Sequence, residues 1–151
     1  MGKISSAIAG TGKKVLLTYG VGSIKKNGLY DRVTAKIRKA GLELFELSGI
    51  DPSPCIDTVG QRAQLCKDKG IDVLLAVGGG STLYATKWMA AGACVDHAPW
   101  NFLDRSKSAP VEKALPVISV LTIAATGIVS PTLLLKASFL DPIATYSVGK
   151  Y

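Results

Sequence analysis

The run "IDVLLAV" at residues 71–77 is followed by Gly78, Gly79 and Gly80, and Ser81 then opens a stretch of helical character. So short and apolar a run, ended by glycines, reads as a buried β-strand. The same order recurs along the chain. "KKVLLTYG" contains a strand at Val15 to Tyr19, and the next segment puts Leu29, Val33, Ile37 and Ala40 on one helical face, with Gly41 as its stop signal. "LELFELSGI" alternates as a strand does. A helix is expected from about Pro54, with Val59, Ala63 and Cys66 inward and Gly70 at its end. After the glycines, Ser81 begins a third helix with Leu83, Ala90, Ala91 and Cys94 facing the core. "DHAPWNFLDRSKSAP" is a loop by composition, "LPVISVLTI" is a fourth strand, and the tail from Lys136 adds a short strand. Strands alternating with helices confine the chain to the α/β class: a Rossmann-like parallel sheet with flanking helices and right-handed crossovers.

In open parallel sheets, ligands bind beyond the carboxyl ends of the strands. Three loops leave those ends here: Gly20 to Ser23, Gly78 to Ser81 and Thr122 to Gly127. All are built from small or hydroxylated residues. A helix N-terminus carries unpaired N–H groups and a partial positive charge, and glycine lets a phosphate approach them. Gly78, Gly79 and Gly80 therefore read as a pyrophosphate cradle, with Ser81 as helix cap or phosphate donor. A tight strand-to-helix turn with a serine cap is the simpler account of the same residues. The pattern is neither G-x-G-x-x-G nor a P-loop. Gly20, Gly22 and Ser23 form a weaker copy suited to the adenosine end of a dinucleotide, with Lys25 and Lys26 placed to face a 2′-phosphate. An NAD site expects an acid near this strand end, and "TYGVGS" has none, so NADP is favoured over NAD. Plain solvation of Lys25 and Lys26 is the competing reading.

Size and charge agree with a single domain. The chain has 151 residues and three cysteines, Cys55, Cys66 and Cys94, with no C-x-x-C pair, which favours a reduced, cytoplasmic setting. The N-terminus makes a poor signal peptide. The net charge is +7, and basic residues from Lys3 to Lys39 precede the second strand with Asp31 as the one acid among them. Such a field attracts nucleotides, acidic substrates, nucleic acid or a membrane surface. The charge-free stretch from Ala114 to Leu135 has the length to span a bilayer, about 20 residues as a helix. Pro116, Gly127 and Pro131 interrupt it, and its β-branched content suits a strand better, so no membrane segment is expected.

Taken together, "KKVLLTYGVGSIKKNGLYDRV", "LLAVGGGSTLYATK", "PWNFL", "LPVISVLTIAATG" and "SPTLLLKASFLDPIATYSVGKY" resemble the iron-containing (group III) alcohol dehydrogenases, in particular their NADPH-dependent butanol dehydrogenase and aldehyde reductase branch. The resemblance runs from about Gly12 to the last residue. It implies a dehydroquinate-synthase-like nucleotide domain in which Gly78, Gly79, Gly80 and Ser81 hold the pyrophosphate. It also implies that Thr122 and Thr126 approach the cofactor and that Gly20, Gly22 and Ser23 meet its adenosine end. The family's helical, metal-binding domain is absent, so residues 1–151 are expected to form a single truncated dinucleotide-binding domain. About twenty family residues are missing between "ATG" and "SPTLLL". Where the family carries aspartate in G-G-G-S-x-x-D, this chain carries Tyr84.

No metal site is expected: His97 is the one histidine, and "CVDH" offers Cys94, Asp96 and His97 at a spacing poor for zinc. Hydride transfer needs a bound NAD(P)H, an oriented carbonyl and a proton source. Tyr84 and Lys87, on adjacent turns of the third helix, are the candidate catalytic pair, the phenol as donor and the ammonium as the charge that acidifies it. In the competing account Tyr84 is partly buried and Lys87 is solvated. Three functions stay open: an NAD(P)H-dependent reductase of a small diffusible carbonyl compound working without a metal, a catalytically silent nucleotide-binding module, and a basic nucleic-acid or anion binder, of which nucleic acid is the least favoured. Apolar residues such as Leu133, Leu134, Leu135 and Phe139, uncovered without the helical domain, suggest self-association.

Overall fold

The computed structural model describes residues 8–50, 56–96, 113–122 and 143–147. The elements bounded within these residues follow in chain order: β1 (Lys14–Tyr19), α1 (Ser23–Lys26), α2 (Leu29–Lys39), β2 (Glu43–Leu47), α3 (Ile56–Lys69), β3 (Val73–Gly78), α4 (Gly80–Gly92), β4 (Val117–Leu121) and β5 (Ile143–Ser147). The strands form one sheet in the order β2-β1-β3-β4-β5, and every neighbouring pair is parallel. The α/β expectation is therefore met. Alternate side chains of each strand point to opposite faces, and both faces are filled. Val15, Leu17 and Tyr19 of β1 join Leu29, Val33 and Ile37 of α2 on one face, with Val73, Leu75, Val77, Ile118 and Val120. Leu16, Leu74, Ala76 and Val117 join Val59 and Cys66 of α3 and Leu83, Met89 and Ala90 of α4 on the other. So α2 covers one side of the sheet while α3 and α4 cover the opposite side.

The differences from the sequence reading are local. Ala40 is exposed and caps α2 at its C-terminus, while Thr34 is buried in its place, its hydroxyl donating to the Tyr30 carbonyl at 2.9 Å. A threonine can enter a helix face when its own backbone takes up the hydroxyl. The short α1 was not anticipated, since four residues carry no periodicity. α3 begins at Ile56 rather than near Pro54. The long apolar stretch from Ala114 resolves into β4 at Val117–Leu121, and among the described residues no helix is long and apolar enough to cross a membrane. Leu133, Leu134, Leu135 and Phe139 lie outside the described residues. Val21 is the one large apolar side chain exposed among the described residues.

A buried hydroxyl chain fixes α4 to the centre of the sheet. The hydroxyls of Thr18 on β1 and Thr86 on α4 are 2.7 Å apart. Thr86 donates to the Thr82 carbonyl at 2.7 Å, so Thr18 is the donor to Thr86, with the Leu75 carbonyl at 3.3 Å as the longer acceptor for the same proton. Both threonines are fully buried, so each hydroxyl needs its partner. Thr86→Val keeps the shape and leaves the Thr18 hydroxyl only its longer bond to the Leu75 carbonyl. It should cost about 1–3 kcal/mol, and the Thr18→Val/Thr86→Val double variant should cost less than the two singles summed. Urea midpoints at constant slope check this; additive losses would show that the hydroxyls do not act as a pair.

Candidate functional site

β1 lies in the interior of the sheet with β2 on one side and β3 on the other. The chain leaves β1 over one face through α2, and leaves β3 over the opposite face through α4. The two loops therefore diverge, and a crevice opens between the carboxyl ends of β1 and β3. This is the topological switch point at which parallel sheets bind ligands. Thr82, in the first turn of α4, sits between the two loops. A methyl group added at Gly20 would lie 3.9 Å from its Oγ1, and one added at Gly78 would lie 2.8 Å from the same atom and 3.2 Å from its Cβ. Gly78 also has φ +156°, a conformation other residues rarely adopt. Its identity is thus demanded by helix-on-strand packing before any ligand is considered. Gly22, at φ +121°, is different: a side chain there would meet nothing within 4 Å, so the backbone faces open space.

α4 begins at Gly80, with Gly79 as its N-cap in an extended conformation and no side-chain cap. The expectation that Ser81 caps the helix is corrected. One residue inside the helix, Ser81 is past the position from which a side chain can reach back to the orphan amides. Leu83 N–H makes the first backbone bond, to the Gly79 carbonyl at 3.2 Å, so the amides of Gly80, Ser81 and Thr82 precede the helical ladder. Thirteen residues of α4 stand behind them, enough to concentrate positive potential at that end. Thr122 lies beside this turn: its N–H donates to the Gly78 carbonyl at 3.1 Å, and it is exposed. Thr126 lies outside the described residues, and Ser23 is the first residue of α1.

On the far side of Gly20, a cleft of about 240 Å³ runs between the Gly20–Gly22 loop and Ser48–Gly49, with Tyr19 and Lys25 in its wall. Arg62 of α3 donates to the Gly49 carbonyl at 3.2 Å and steadies that wall. The Lys25 ammonium lies 5.0 Å from the Tyr30 ring centre and 5.5 Å from that of Tyr19. The rings meet edge to face with centres 5.8 Å apart. Glu46 receives the Tyr30 hydroxyl on both carboxylate oxygens, at 2.8 and 2.9 Å, and the Tyr19 hydroxyl at 3.4 Å. The Glu46 hydrogen bond, with some burial, raises the Tyr30 phenol above its ordinary value. Sequence reasoning sought an acid beside β1 and passed over Glu46. The signal was present: an acid on the second strand, about 20 residues past the first glycine turn, is part of the dinucleotide pattern. Lys26 is exposed and makes no such contacts.

Tyr84 is half-buried, one turn into α4. Lys87, one turn further, is only 3% exposed, not solvated as an unengaged lysine would be. No hydrogen bond links the two among the described residues, and burial alone pushes the Lys87 pKa below its usual 10.5. Among the described residues no three His, Cys, Asp or Glu side chains come together as a metal site. Of the residues weighed for a metal site, Cys94 and Asp96 are described, and His97 lies outside the described residues. Cys66 is buried and free, and its thiol is pushed up to about 12, mainly by burial, so it is inert.

Residues 1–136 match the family model described as iron-containing alcohol dehydrogenase. The chain is 42% identical over 158 residues to a probable NADH-dependent butanol dehydrogenase 1 of Bacillus subtilis, covering 92% of this chain and 40% of that protein. It is 39% identical over 116 residues to an NADPH-dependent aldehyde reductase of Escherichia coli, covering 76% of this chain and 29% of that one. The crystal structure of NADH-dependent butanol dehydrogenase A from Thermotoga maritima superposes with a TM-score of 0.77 at 42% identity, covering 83% of this chain and 31% of the other. The chain thus spans at most about 40% of the length of these relatives.

Two outcomes follow from the geometry. Gly78→Ala forces a Cβ against Thr82 and should cost about 1–3 kcal/mol; Thr82→Ala in the same chain should recover part of the loss, and a Gly78→Ala chain as stable as the parent would refute the packing role. For Lys87, the folded pKa lies below the unfolded one, so the unfolded chain holds more protons in between. Stability should rise with pH from the lowered value up to about 10.5, and fall as pH drops through that lowered value. Lys87→Met should flatten that part of the denaturation-midpoint profile and raise stability at neutral pH.

Proposed function

Because the chain belongs to the iron-containing alcohol dehydrogenase family, we propose that it binds a nicotinamide dinucleotide at the β1/β3 switch point and serves an oxidoreductase that interconverts a small alcohol and its carbonyl compound. The observation that carries this reading is the pairing of two open strand ends. The amides of Gly80, Ser81 and Thr82 precede the helical ladder at the end of β3, and Gly22 opens on space after β1. Diphosphate oxygens accept hydrogen bonds from such a helix start, while the cleft beside Gly22 has room for part of an adenosine. Thr122, exposed and hydrogen-bonded to Gly78, is proposed to approach the cofactor.

NADP is the cofactor proposed over NAD. The relatives' names include both NADH and NADPH dependence, so the support comes from this chain's residues. Lys25 lies in the cleft wall with no ion-pairing carboxylate among the described residues, and the acid on β2, Glu46, is already engaged by Tyr30. The reaction moves a hydride from the reduced nicotinamide to the carbonyl carbon and a proton to its oxygen. The cofactor supplies the hydride chemistry when bound. Tyr84 is the proposed proton donor. Lys87, one turn further along α4 and buried, is its proposed partner, with no hydrogen bond between the two among the described residues. Small alcohols and aldehydes are the proposed substrates, in keeping with what the relatives are named for.

The test is a titration of the ¹⁵N-labelled chain with NADPH and NADH, followed by aldehyde reduction in wild type and Tyr84→Phe. The expected result is a shift of the Gly79–Thr82 amides, with Tyr84→Phe lowering kcat by about 10²–10⁴-fold and leaving cofactor affinity in place. Unmoved amides at saturating cofactor would overturn the binding reading. Binding without turnover would leave a nucleotide-binding module, and an unchanged rate in Tyr84→Phe would remove Tyr84 from the chemistry.

A further inference from the structure

Lys25 is an exposed lysine on a four-residue helix, yet it is not free to roam. Its ammonium is within 5.0 Å of one ring centre and 5.5 Å of another. Those rings belong to different elements: Tyr19 closes β1 and Tyr30 opens α2. They are held edge to face, and Tyr30 is fixed from behind by two hydrogen bonds to Glu46 on β2. The seat is attached to the sheet, because Tyr19 is only 3% exposed and Tyr30 packs on the same apolar cluster. A ring face attracts a cation without neutralising it, whereas a carboxylate in the same place would cancel the charge. Glu46 accepts from the phenol hydroxyls, and no Lys25–Glu46 ion pair forms among the described residues.

We infer that Tyr30, anchored by Glu46, is a specificity-determining positioning residue: with Tyr19 it forms an aromatic seat that holds the Lys25 ammonium at the cleft for the 2′-phosphate of NADPH. This rests on the proposed binding of NADP at the Gly20–Gly22 loop. Holding a long side chain in place before binding removes part of the ordering cost that a flexible lysine would otherwise incur. The acid on β2 acquires a role opposite to the usual one. In place of receiving ribose hydroxyls and favouring NADH, it is spent on the tyrosine that supports the phosphate-binding cation.

The experiment compares dissociation constants for NADPH and NADH by calorimetry in wild type, Lys25→Met, Tyr30→Leu and Tyr30→Phe. Wild type should bind NADPH more tightly than NADH, and Lys25→Met should close that gap by weakening NADPH alone. Tyr30→Leu should weaken NADPH about two- to fivefold, the range of an exposed cation–ring contact, with NADH unchanged. Tyr30→Phe keeps the ring and should restore most of the preference. If Lys25→Met leaves the NADPH-to-NADH ratio at the wild-type value, the NADP reading itself fails. If Lys25→Met closes the gap but Tyr30→Leu does not narrow it, the aromatic seat fails while the NADP reading stands. An equal loss for both cofactors in Tyr30→Leu would show a merely structural tyrosine and would also overturn the proposal.

Discussion

The position of β1 in the sheet is the constraint on which the rest depends. Its residues pair with β2 through Lys14↔Glu43 to Thr18↔Leu47 and with β3 through Val15↔Val73 to Tyr19↔Val77. With both edges taken and both faces covered, β1 can end only at the crevice. The Thr18–Thr86 contact then sets where α4 lies over it. A hydroxyl pair buried in an apolar layer tolerates little displacement, because a shift would lose the short contact and leave each group only its backbone carbonyl. The start of α4 is in this way held at the end of β1, although 60 or so residues separate them in the chain, a span closed here by the sheet itself.

The glycines divide by physical cause. Gly78 is required by Thr82 and by its own backbone angle, while Gly22 opens on space with nothing to collide with. One therefore belongs to folding and the other leaves room for a ligand. That separation matters for how a glycine-rich turn supports a functional reading: a run of three is not three equal contributions. The stronger support for a nucleotide lies in what surrounds the run. Amides ahead of the helical ladder, a second open loop from β1 and a basic side chain in the cleft wall meet at one end of the sheet.

Much of the architecture was legible in the sequence. The runs at Val15–Tyr19 and Val73–Val77 are apolar because both faces are covered, and Gly41 and Gly70 mark helix ends at positive φ. Val59, Ala63 and Cys66 face inward as their spacing indicates. The helix α4 was legible as a helix but not as a buried one. Its burial comes from lying between the sheet and α3, so that Lys87 is enclosed along with its apolar neighbours. No local pattern marks a lysine that its neighbours on other elements will cover. Glu46 was missed for a similar reason. It is an exposed charge on β2, and only the packing of α2 brings Tyr30 onto its carboxylate.

The sequence by itself determined the class of fold, the order of its elements and the small-residue loops at the strand ends. Those properties follow from periodicity and from the backbone freedom of particular residues, which are local. Tertiary structure alone decided that the loops after β1 and β3 adjoin, that Thr82 occupies the gap between them, and that Lys25 rests on two rings borne by separate elements. These are contacts between segments distant along the chain. Strand order and helix placement create them, and no residue carries that information in its immediate neighbours.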